Sequence, residues 1–328
     1  MKVLTRAAPY VCRMNLKGPM PDMFDVTAAI VTFKNPPSVV SRAALSFLRA
    51  PQRVALHIID NSPTDELRGV AEKCGAEYVF TGKNLGFGAA HNLAIARVAG
   101  RSRYHVVLNP DIYFEPEVIE RLYCFMERNS DVGLVMPNVL YPDGSVQHLC
   151  KLLPSPFDLF ARRFLPSFAK RLLQHKLDSF ECRDIDLTSA AFVPYLSGSF
   201  MFLRADVLRR VGGFDERYFM YFEDTDLTRR IARECLTIFF PHVSVYHEFG
   251  RGSYKNLRLL AIHLINAVRY FNKFGWVSDP ERSEMNRRAR SQCLVSHLNN
   301  VGAGSASRDC CGSSVVAEPD AAQHFKSP

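Results

Sequence analysis

The fold is set by a short apolar run near the start of the chain, Asp25-Val26-Thr27-Ala28-Ala29-Ile30-Val31-Thr32-Phe33, which stops before Pro36-Pro37. A run of this length that is rich in β-branched and aliphatic side chains predicts a buried strand. A second run of the same kind, Val54 to Asp60, follows after a segment that predicts a helix. Strand, helix and strand in this order form the repeating unit of a parallel sheet.

The alternation continues through the first 130 residues. It predicts further helices and strands, namely helices over 38–50, 65–74, 86–98 and 115–129 and strands over 76–80 and 104–108. This order predicts an α/β fold with a mainly parallel central sheet and helices on both faces. Three of the strands end in or just before a polar residue, Thr32, Asp60 or Asp111. Ligands bind outside the carboxyl ends of such strands, so we expect these side chains to share one site.

The second half is less regular and predicts an α+β part. Strands are expected over 132–139, 193–203 and 237–247, and helices over 207–211, 225–234 and 254–275, with basic amphipathic helices over 157–177 that break at Pro166. Residues 279–328 are polar, rich in Ser and Ala, and without periodicity, which predicts a disordered tail. We therefore divide the chain into an irregular arm (1–24), one domain (25–278, with halves 25–130 and 131–278) and the tail.

Composition narrows the class of protein. The chain has 328 residues, of which 47% are hydrophobic, and a net charge of +8. The core can therefore be large, and the charge favours a polyanionic partner. We find no signal peptide and no apolar run of membrane-spanning length, so we expect a cytoplasmic protein. The nine scattered cysteines fit a reducing compartment.

Two acidic segments lie close together in the second half. Gly212-Gly213-Phe214-Asp215-Glu216 is followed by Glu223-Asp224-Thr225-Asp226, and no basic residue separates Arg217 from Arg229. Carboxylates crowded against aromatic side chains have shifted pKa values, which is typical of functional sites. The alternative is a solvated acidic turn that caps the next helix.

Other candidate residues lie at the predicted strand ends. The segment Asn84-Leu85-Gly86-Phe87-Gly88-Ala89-Ala90-His91-Asn92 opens a helix, and its glycines and helix N-terminus favour an anion. It is not the dinucleotide fingerprint, because His91 occupies the third glycine position. Asn109-Pro110-Asp111 offers a carboxylate for a divalent cation, or forms an ordinary turn. Asp60 suits a base or ribose, or caps its own turn, and His247 suits a metal or a structural role.

Taken in chain order, these motifs resemble a known family. The motifs are Val31-Thr32-Phe33, Asp60-Asn61-Ser62, Asn84-Leu85-Gly86-Phe87-Gly88, Asn109-Pro110-Asp111, Gly212 to Glu216, Glu223-Asp224 and His247. This set resembles the family-2 glycosyltransferases with a GT-A fold, in particular the bacterial rhamnosyltransferase-like group. The resemblance covers residues 25 to 275.

The resemblance implies roles for these residues. It implies inverting transfer of a sugar, with Asp224 as general base beside Glu223, and with Asp111 and His247 holding Mg²⁺ or Mn²⁺. Asp215 and Glu216 would lie near the acceptor. The donor would be bound by Thr32, Asp60, Asn61, Asn84, Gly86, Asn92 and Asn109. Asn109 replaces the first acid of the family's Asp-x-Asp motif, which leaves one fewer charge for the metal.

The resemblance also implies substrates. The donor would be a dTDP- or UDP-sugar, with L-rhamnose suggested by the segment from Gly86 to Asn92, and the acceptor a glycan or lipid-linked glycan in bacterial surface polysaccharide synthesis. One alternative is a nucleotidyltransferase, which usually carries a basic, Gly-rich loop where Lys34-Asn35-Pro36-Pro37 stands. Another is a non-catalytic polyanion-binding protein. We find no nucleic-acid-binding module, so we expect no nucleic acid as partner.

One segment predicts a membrane contact. Leu152 to Leu177 mixes aromatic and aliphatic side chains with clustered cations, a pattern that suits an anionic bilayer surface. The enzyme would then lie peripherally at the inner face of the cell membrane. The alternative is that the apolar side chains pack on the domain while the cations are solvated.

Overall fold

Parallel strands build the first half of the sheet. The computed structural model describes residues 23–98, 100–164, 166–185, 187–248 and 257–291. Strands β1 (Phe24–Thr32), β2 (Val54–Asp60), β3 (Glu77–Phe80) and β4 (Ser102–Leu108) lie in the order β3-β2-β1-β4, with helices α1 (Pro37–Leu48), α2 (Arg68–Cys74), α3 (Phe87–Val98) and α4 (Glu117–Arg128) between or after them. Thr32 lies opposite Asp60, and Ile30 lies opposite Leu108. The strand ends therefore meet at one rim, as predicted.

From residue 112 onward the chain adds strands of both directions to the same sheet. These are β5 (Ile112–Tyr113), β6 (Val132–Leu140), β7 (Ala191–Phe192), β8 (Phe200–Arg204) and β9 (Leu236–His247). The order continues as β4-β8-β6-β9-β5, with β7 also beside β9. Strand β8 is antiparallel to β4 and β6, whereas β6 and β9 are parallel. The sheet is thus parallel in its first half and mixed in its second.

The predicted strand 193–203 is two strands. Strand β7 pairs with β9, and β8 pairs with β4 and β6, so the chain leaves one part of the sheet and enters another. The connection contains Pro194 and the triplet Ser197-Gly198-Ser199. Proline cannot donate to a ladder, and glycine weakens a strand interior, which explains the interruption.

The helices of the second half surround this part of the sheet. They are α5 (Pro156–Phe164), α6 (Ser167–Leu172), α7 (Gln174–Phe180), α8 (Ala205–Arg210), α9 (Glu223–Ala232), α10 (Leu257–Phe274) and α11 (Pro280–Ser291). The predicted break at Pro166 is present, and a second one follows at Leu173. Across the described residues, every helix is too short or too polar to cross a membrane.

The prediction of a disordered tail from residue 279 is wrong for residues 279–291. Helix α11 buries Met285 and Ala289 in the main core. It is fixed by a buried ion pair, in which the Arg229 guanidinium donates to both oxygens of Asp279 at 2.6 and 2.8 Å. The two side chains are 1% and 2% exposed. Two inward apolar residues are too sparse for a periodic apolar signal, and periodicity does not report an ion pair. Residues 292–328 lie outside the described residues.

We predict that a chain ending at Ser278 is far less stable than one ending at Ser291. The shorter chain lacks Asp279 and Glu281 and leaves the Arg229 guanidinium buried without a counter-charge, which typically costs about 3–5 kcal/mol. Urea unfolding of the two chains measures the difference. Equal unfolding free energies would show that α11 is dispensable.

Three buried histidines lie in β2, β4 and α3. Nδ1 of His105 lies 2.9 Å from the hydroxyl oxygen of Thr27, and burial lowers the pKa of His105 to about 3. Burial also lowers the pKa of His57, and it holds the pKa of His91 well below the usual range. Within the described residues neither ring nitrogen of His91 has a hydrogen-bond partner. All three rings are therefore neutral in the folded protein near pH 7.

We predict that these histidines make the fold sensitive to acid. The pKa values of these rings in the folded protein lie below the unfolded value of roughly 6.5. Protonation therefore favours the unfolded state, so the free energy of unfolding is highest above that pH and falls as the pH drops. His91→Leu removes one such group without breaking a hydrogen bond. Between pH 7.5 and 5.0 the wild type should lose about 2 kcal/mol more unfolding free energy than this variant. Identical losses in urea titrations would contradict the assignment.

Candidate active site

Asp60 lies fully buried at the carboxyl end of β2. Its Oδ1 accepts hydrogen bonds from the Thr32 hydroxyl at 3.0 Å and from the Ser62 amide at 2.9 Å. The Tyr78 hydroxyl donates to Oδ2 at 2.7 Å, and burial together with this bond raises the pKa of Tyr78. Protein donors thus hold the carboxylate in place at the rim. Its predicted contact with a base or ribose stays a prediction.

The glycine-containing loop after β3 packs against the chain's own second half. Gly86 has φ of +88°, and a Cβ there would lie 2.3 Å from the carbonyl oxygen of Phe219. The Phe87 amide donates to that same oxygen at 2.9 Å. Asn84 accepts from the Gly86 amide, and Asn61 donates to the Gly86 carbonyl. We expected these glycines to admit an anion, but the close approach that the structure shows is to the protein backbone.

Asn92 connects the two halves of the domain. Its Nδ2 donates to the Phe214 carbonyl and to Glu216 Oε1, both at 2.9 Å. Its Oδ1 accepts from the Phe214 amide at 2.9 Å. A Cβ on Gly213 would lie 2.6 Å from this Oδ1, which explains the glycine there. Both amide hydrogens of Asn92 are used within the protein, so the structure gives it a tethering role that we did not predict.

Asp111 and His247 lie together where β4 and β9 end. His247 Nε2 is 3.3 Å from Asp111 Oδ1, and Asn109 Nδ2 is 3.4 Å from the same nitrogen. Ile112 of β5 pairs with His247 of β9, and this pairing brings the preceding residue, Asp111, close to His247. Carboxylate ligands suit Mg²⁺ or Mn²⁺, and imidazole is a ligand of transition-metal ions. In the described part of the chain no group of three or more His, Cys, Asp or Glu side chains is arranged to hold a metal. This pair would need ligands from a substrate.

Asp224 opens α9 close to that turn. Its Oδ2 accepts from the Gly198 amide at 3.0 Å, and its Oδ1 accepts from the Thr225 amide at 2.7 Å. The next residue of the same loop, Ser199, accepts from the Asn109 amide at 2.9 Å. The candidate base and the Asn109–Asp111 turn therefore contact two adjacent residues of one loop.

The two carboxyl groups at this helix start have different surroundings. Burial raises the pKa of Asp224, although backbone amides and the charge of Lys151 oppose the rise. Burial, with the neighbouring charge of Asp224, raises the pKa of Glu223 well above its usual range. Glu223 is 6% exposed, and within the described residues its Oε2 has no hydrogen-bond partner. Close carboxyls whose environments differ carry their charge on the better solvated group. We assign the negative charge to Asp224 and the proton to Glu223.

The turn before these acids has an unfavourable backbone. Tyr221 and Phe222 have φ values of 72° and 71°, a region that costs a non-glycine residue about 1–3 kcal/mol. Helix α10 holds this turn, because Asn266 Nδ2 donates to the Met220 carbonyl at 2.8 Å and the His263 ring contacts the Phe222 ring. The carboxylate geometry at the start of α9 thus depends on α10.

The predicted acceptor residues are bound within the protein. Asp215 accepts from Arg217 at 2.6 Å and from Lys273 at 2.8 Å, and these partners hold the pKa of its carboxyl well below the usual range. Lys273 also donates to the buried Asp226 at 2.5 Å. Glu216 accepts from Asn92. The structure shows a network that joins α10 to the acidic segments, and contact with an acceptor stays a prediction for both residues.

Several residues of the site were missed from the sequence. Tyr78, Lys151 and Gly198 contact or influence Asp60 or Asp224 from loops and strands without a motif. Only Gly198 carried a signal, since glycine inside a predicted strand often marks a close backbone approach. A Cβ on Gly198 would lie 3.2 Å from Asp224 Cβ.

Comparisons with known proteins agree on one class. The family model "Glycosyl transferase family 2" matches residues 28–212. N-acetylglucosaminyl-diphospho-decaprenol L-rhamnosyltransferase of Mycobacterium tuberculosis is 31% identical over 245 residues, which cover 69% of this chain and 77% of that protein. Rhamnosyltransferase WbbL of Escherichia coli is 26% identical over 221 residues, which cover 64% and 79%.

A solved structure shows the same fold. Mannosyltransferase PcManGT from Pyrobaculum calidifontis, solved in complex with GDP-Man and Mn²⁺, superposes with a TM-score of 0.53 at 16% identity, covering 88% of this chain and 77% of that one. The fold class and the enzyme class expected from the sequence are confirmed. The chain belongs to glycosyl transferase family 2 and is a glycosyltransferase.

Proposed function

We propose that this glycosyltransferase moves L-rhamnose from dTDP-rhamnose to a lipid-linked glycan during synthesis of a bacterial surface polysaccharide. Two relatives that cover most of the domain are named rhamnosyltransferases, and the name of one specifies a lipid diphosphate acceptor. The observation that carries the proposal is Asp224, a carboxyl group held by two backbone amides beside the Asn109–Asp111 turn.

The donor would lie along the rim formed by the first half. We propose that Asp60, Thr32 and Asn61 contact the nucleoside, and that Asn84, Gly86, Asn92 and Asn109 form the wall behind the sugar diphosphate. Asp111 and His247 would hold Mg²⁺ or Mn²⁺. A bound cation of this kind supplies countercharge to the leaving diphosphate. The facing imidazole and carboxylate, 3.3 Å apart, fit such an ion, with diphosphate oxygens completing its shell.

The acceptor would be activated from the second half. Asp224 would accept the proton of the acceptor hydroxyl as its oxygen bonds to the anomeric carbon and the bond to the diphosphate breaks. One base on the face opposite the leaving group gives inversion. The amides of Gly198 and Thr225 favour the ionised form of this carboxyl group and orient it, and a proton on Glu223 would leave no second charge beside it. Asp215 and Glu216 are proposed to lie on the acceptor side.

We predict that Asp224→Asn lowers rhamnosyl transfer by about 10²–10⁴-fold, because the amide keeps the shape but cannot accept the proton. Transfer from dTDP-rhamnose to a GlcNAc-diphospho-lipid is measured with Mn²⁺ present, and donor binding is measured separately by calorimetry. Binding should persist. Asp206→Asn, a change to an exposed acid that pairs with Arg210 on α8, is the control and should leave transfer unchanged.

Other results would redirect the proposal. If Glu223→Gln abolishes transfer while Asp224→Asn is mild, the base is Glu223. If the wild type binds UDP-sugars but not dTDP-rhamnose, the donor assignment fails while the catalytic one stands.

We also propose a peripheral membrane contact near the acceptor side. Leu152 and Leu153 are buried in the core, so the alternative of simple packing holds for this end of the predicted segment. Further along, Phe168 and Leu172 are 72% and 83% exposed. Leu159 of α5 packs against the Tyr270 cluster of α10, whose outer face exposes Leu257, Ile265 and Val268. Exposed apolar side chains beside basic ones suit an anionic bilayer surface.

We predict that the protein floats with anionic vesicles at low salt, and that added salt weakens this binding. The paired change Phe168→Glu with Leu172→Glu should reduce binding, because it places charge where apolar side chains would enter the bilayer. Val146→Glu, at another exposed apolar position, is the matched control. Equal binding to neutral and anionic vesicles, or no binding to either, would reject the contact.

A further inference from the structure

We propose that Gln147 is a positioning residue for His247. It fixes which ring nitrogen carries the proton, so that the lone pair of Nε2 faces Asp111. The inference rests on the proposed divalent cation at Asp111 and His247. It concerns a residue that no sequence motif pointed to.

A hairpin brings Gln147 to the end of β9. Leu140, the last residue of β6, pairs with Val146 across a tight turn in which the Gly144 amide donates to the Tyr141 carbonyl at 2.9 Å. The Gln147 amide then donates to the Val139 carbonyl at 2.8 Å. Because β6 and β9 run parallel, with Leu140 opposite Tyr246, the buried Gln147 side chain reaches His247.

The side-chain amide of Gln147 can lie in only one orientation. Its Nε2 donates to the carbonyl oxygen of His247 at 2.8 Å and to that of Leu140 at 3.3 Å. The reversed amide would place Oε1 against both of these oxygens, and all three atoms are acceptors. Oε1 therefore points the other way, to a position 3.0 Å from His247 Nδ1.

The amide orientation sets the state of the ring. Oε1 can only accept, so His247 Nδ1 must be the donor and must carry a proton. A neutral imidazole has one such proton, and the other nitrogen, Nε2, then holds a lone pair. That lone pair faces Asp111 Oδ1 at 3.3 Å. Two acceptors at this distance attract a cation between them. Metal-binding histidines commonly have their second nitrogen fixed in this way.

The two ends of the Gln147 amide can be separated by substitution. The donor end holds the backbone where β6 and β9 finish, which is a structural role. The acceptor end orients the ring, which is the role proposed here. Gln147→Glu keeps the acceptor, whereas Gln147→Met has a similar length but no acceptor. A purely structural role would make the two variants equally harmful.

The first measurement is the ring state of His247 without metal. Nitrogen-15 spectra of histidine-labelled full-length protein at pH 8.5 distinguish a protonated ring nitrogen from a bare one, and His247→Asn identifies the signal. Wild type and Gln147→Glu should show a proton on Nδ1, and Gln147→Met should lose this preference. The second measurement is Mn²⁺ affinity by electron paramagnetic resonance with dTDP present. Gln147→Met should weaken Mn²⁺ binding about 10–100-fold, and Gln147→Glu should lose less affinity than Gln147→Met, because it keeps the acceptor that orients the ring.

Asn138→Leu is the matched control. It removes an amide that bonds Ser244 between the same two strands, away from His247, and should leave both measurements unchanged. The inference is overturned if Gln147→Met keeps the proton on Nδ1 and binds Mn²⁺ normally, or if Gln147→Glu and Gln147→Met lose equal affinity. If the wild type itself binds no Mn²⁺, the proposed cation fails as well, and the inference falls with it.

Discussion

The pairing of β8 with β4 is the contact on which the rest of the site depends. Its antiparallel register places Phe200 opposite Leu108, so the residues that precede β8 lie beside the residues that follow β4. Ser199 can then accept from Asn109, and Gly198 can donate to Asp224. Without this pairing the rim of the first half would have no candidate base beside it. The two halves form one enzyme because a strand of the second is built into the sheet of the first.

Charge at the site is controlled by unequal burial. Glu223 and Asp224 are neighbours in sequence, yet the first lies in the core and the second reaches two backbone amides. Asp60 is fully buried but has three donors, and Asp215 is paired with cations. Each acid therefore has its own set of surrounding groups. A cluster of acids that repel each other in the unfolded chain becomes a set of groups with separate tasks.

The sequence predicted the layers of the fold and most of the rim, since both follow from buried strands and from polar residues at their ends. It predicted less where the cause is a contact between distant segments. Gly86 was expected to contact the donor, but the close approach that the structure shows there is to Phe219, and the reason for Gly213 is its close approach to Asn92. Helix α11 was missed because a buried ion pair, and not a periodic apolar face, fixes it to the domain. Strand pairing brings Gln147 close to His247 and Gly198 close to Asp224. A single sequence does not show such pairing.

The turn at Tyr221 and Phe222 has a consequence for attempts to make this enzyme more robust. Glycine and asparagine adopt a positive φ at little cost, so either residue at position 221 would relieve backbone strain there. The same change would remove an aromatic ring that contacts His263 of α10 and would loosen the start of α9. A change that relieves the strain at position 221 would therefore also weaken the packing of this turn on α10. The backbone strain and the aromatic contact that holds the turn belong to the same residue.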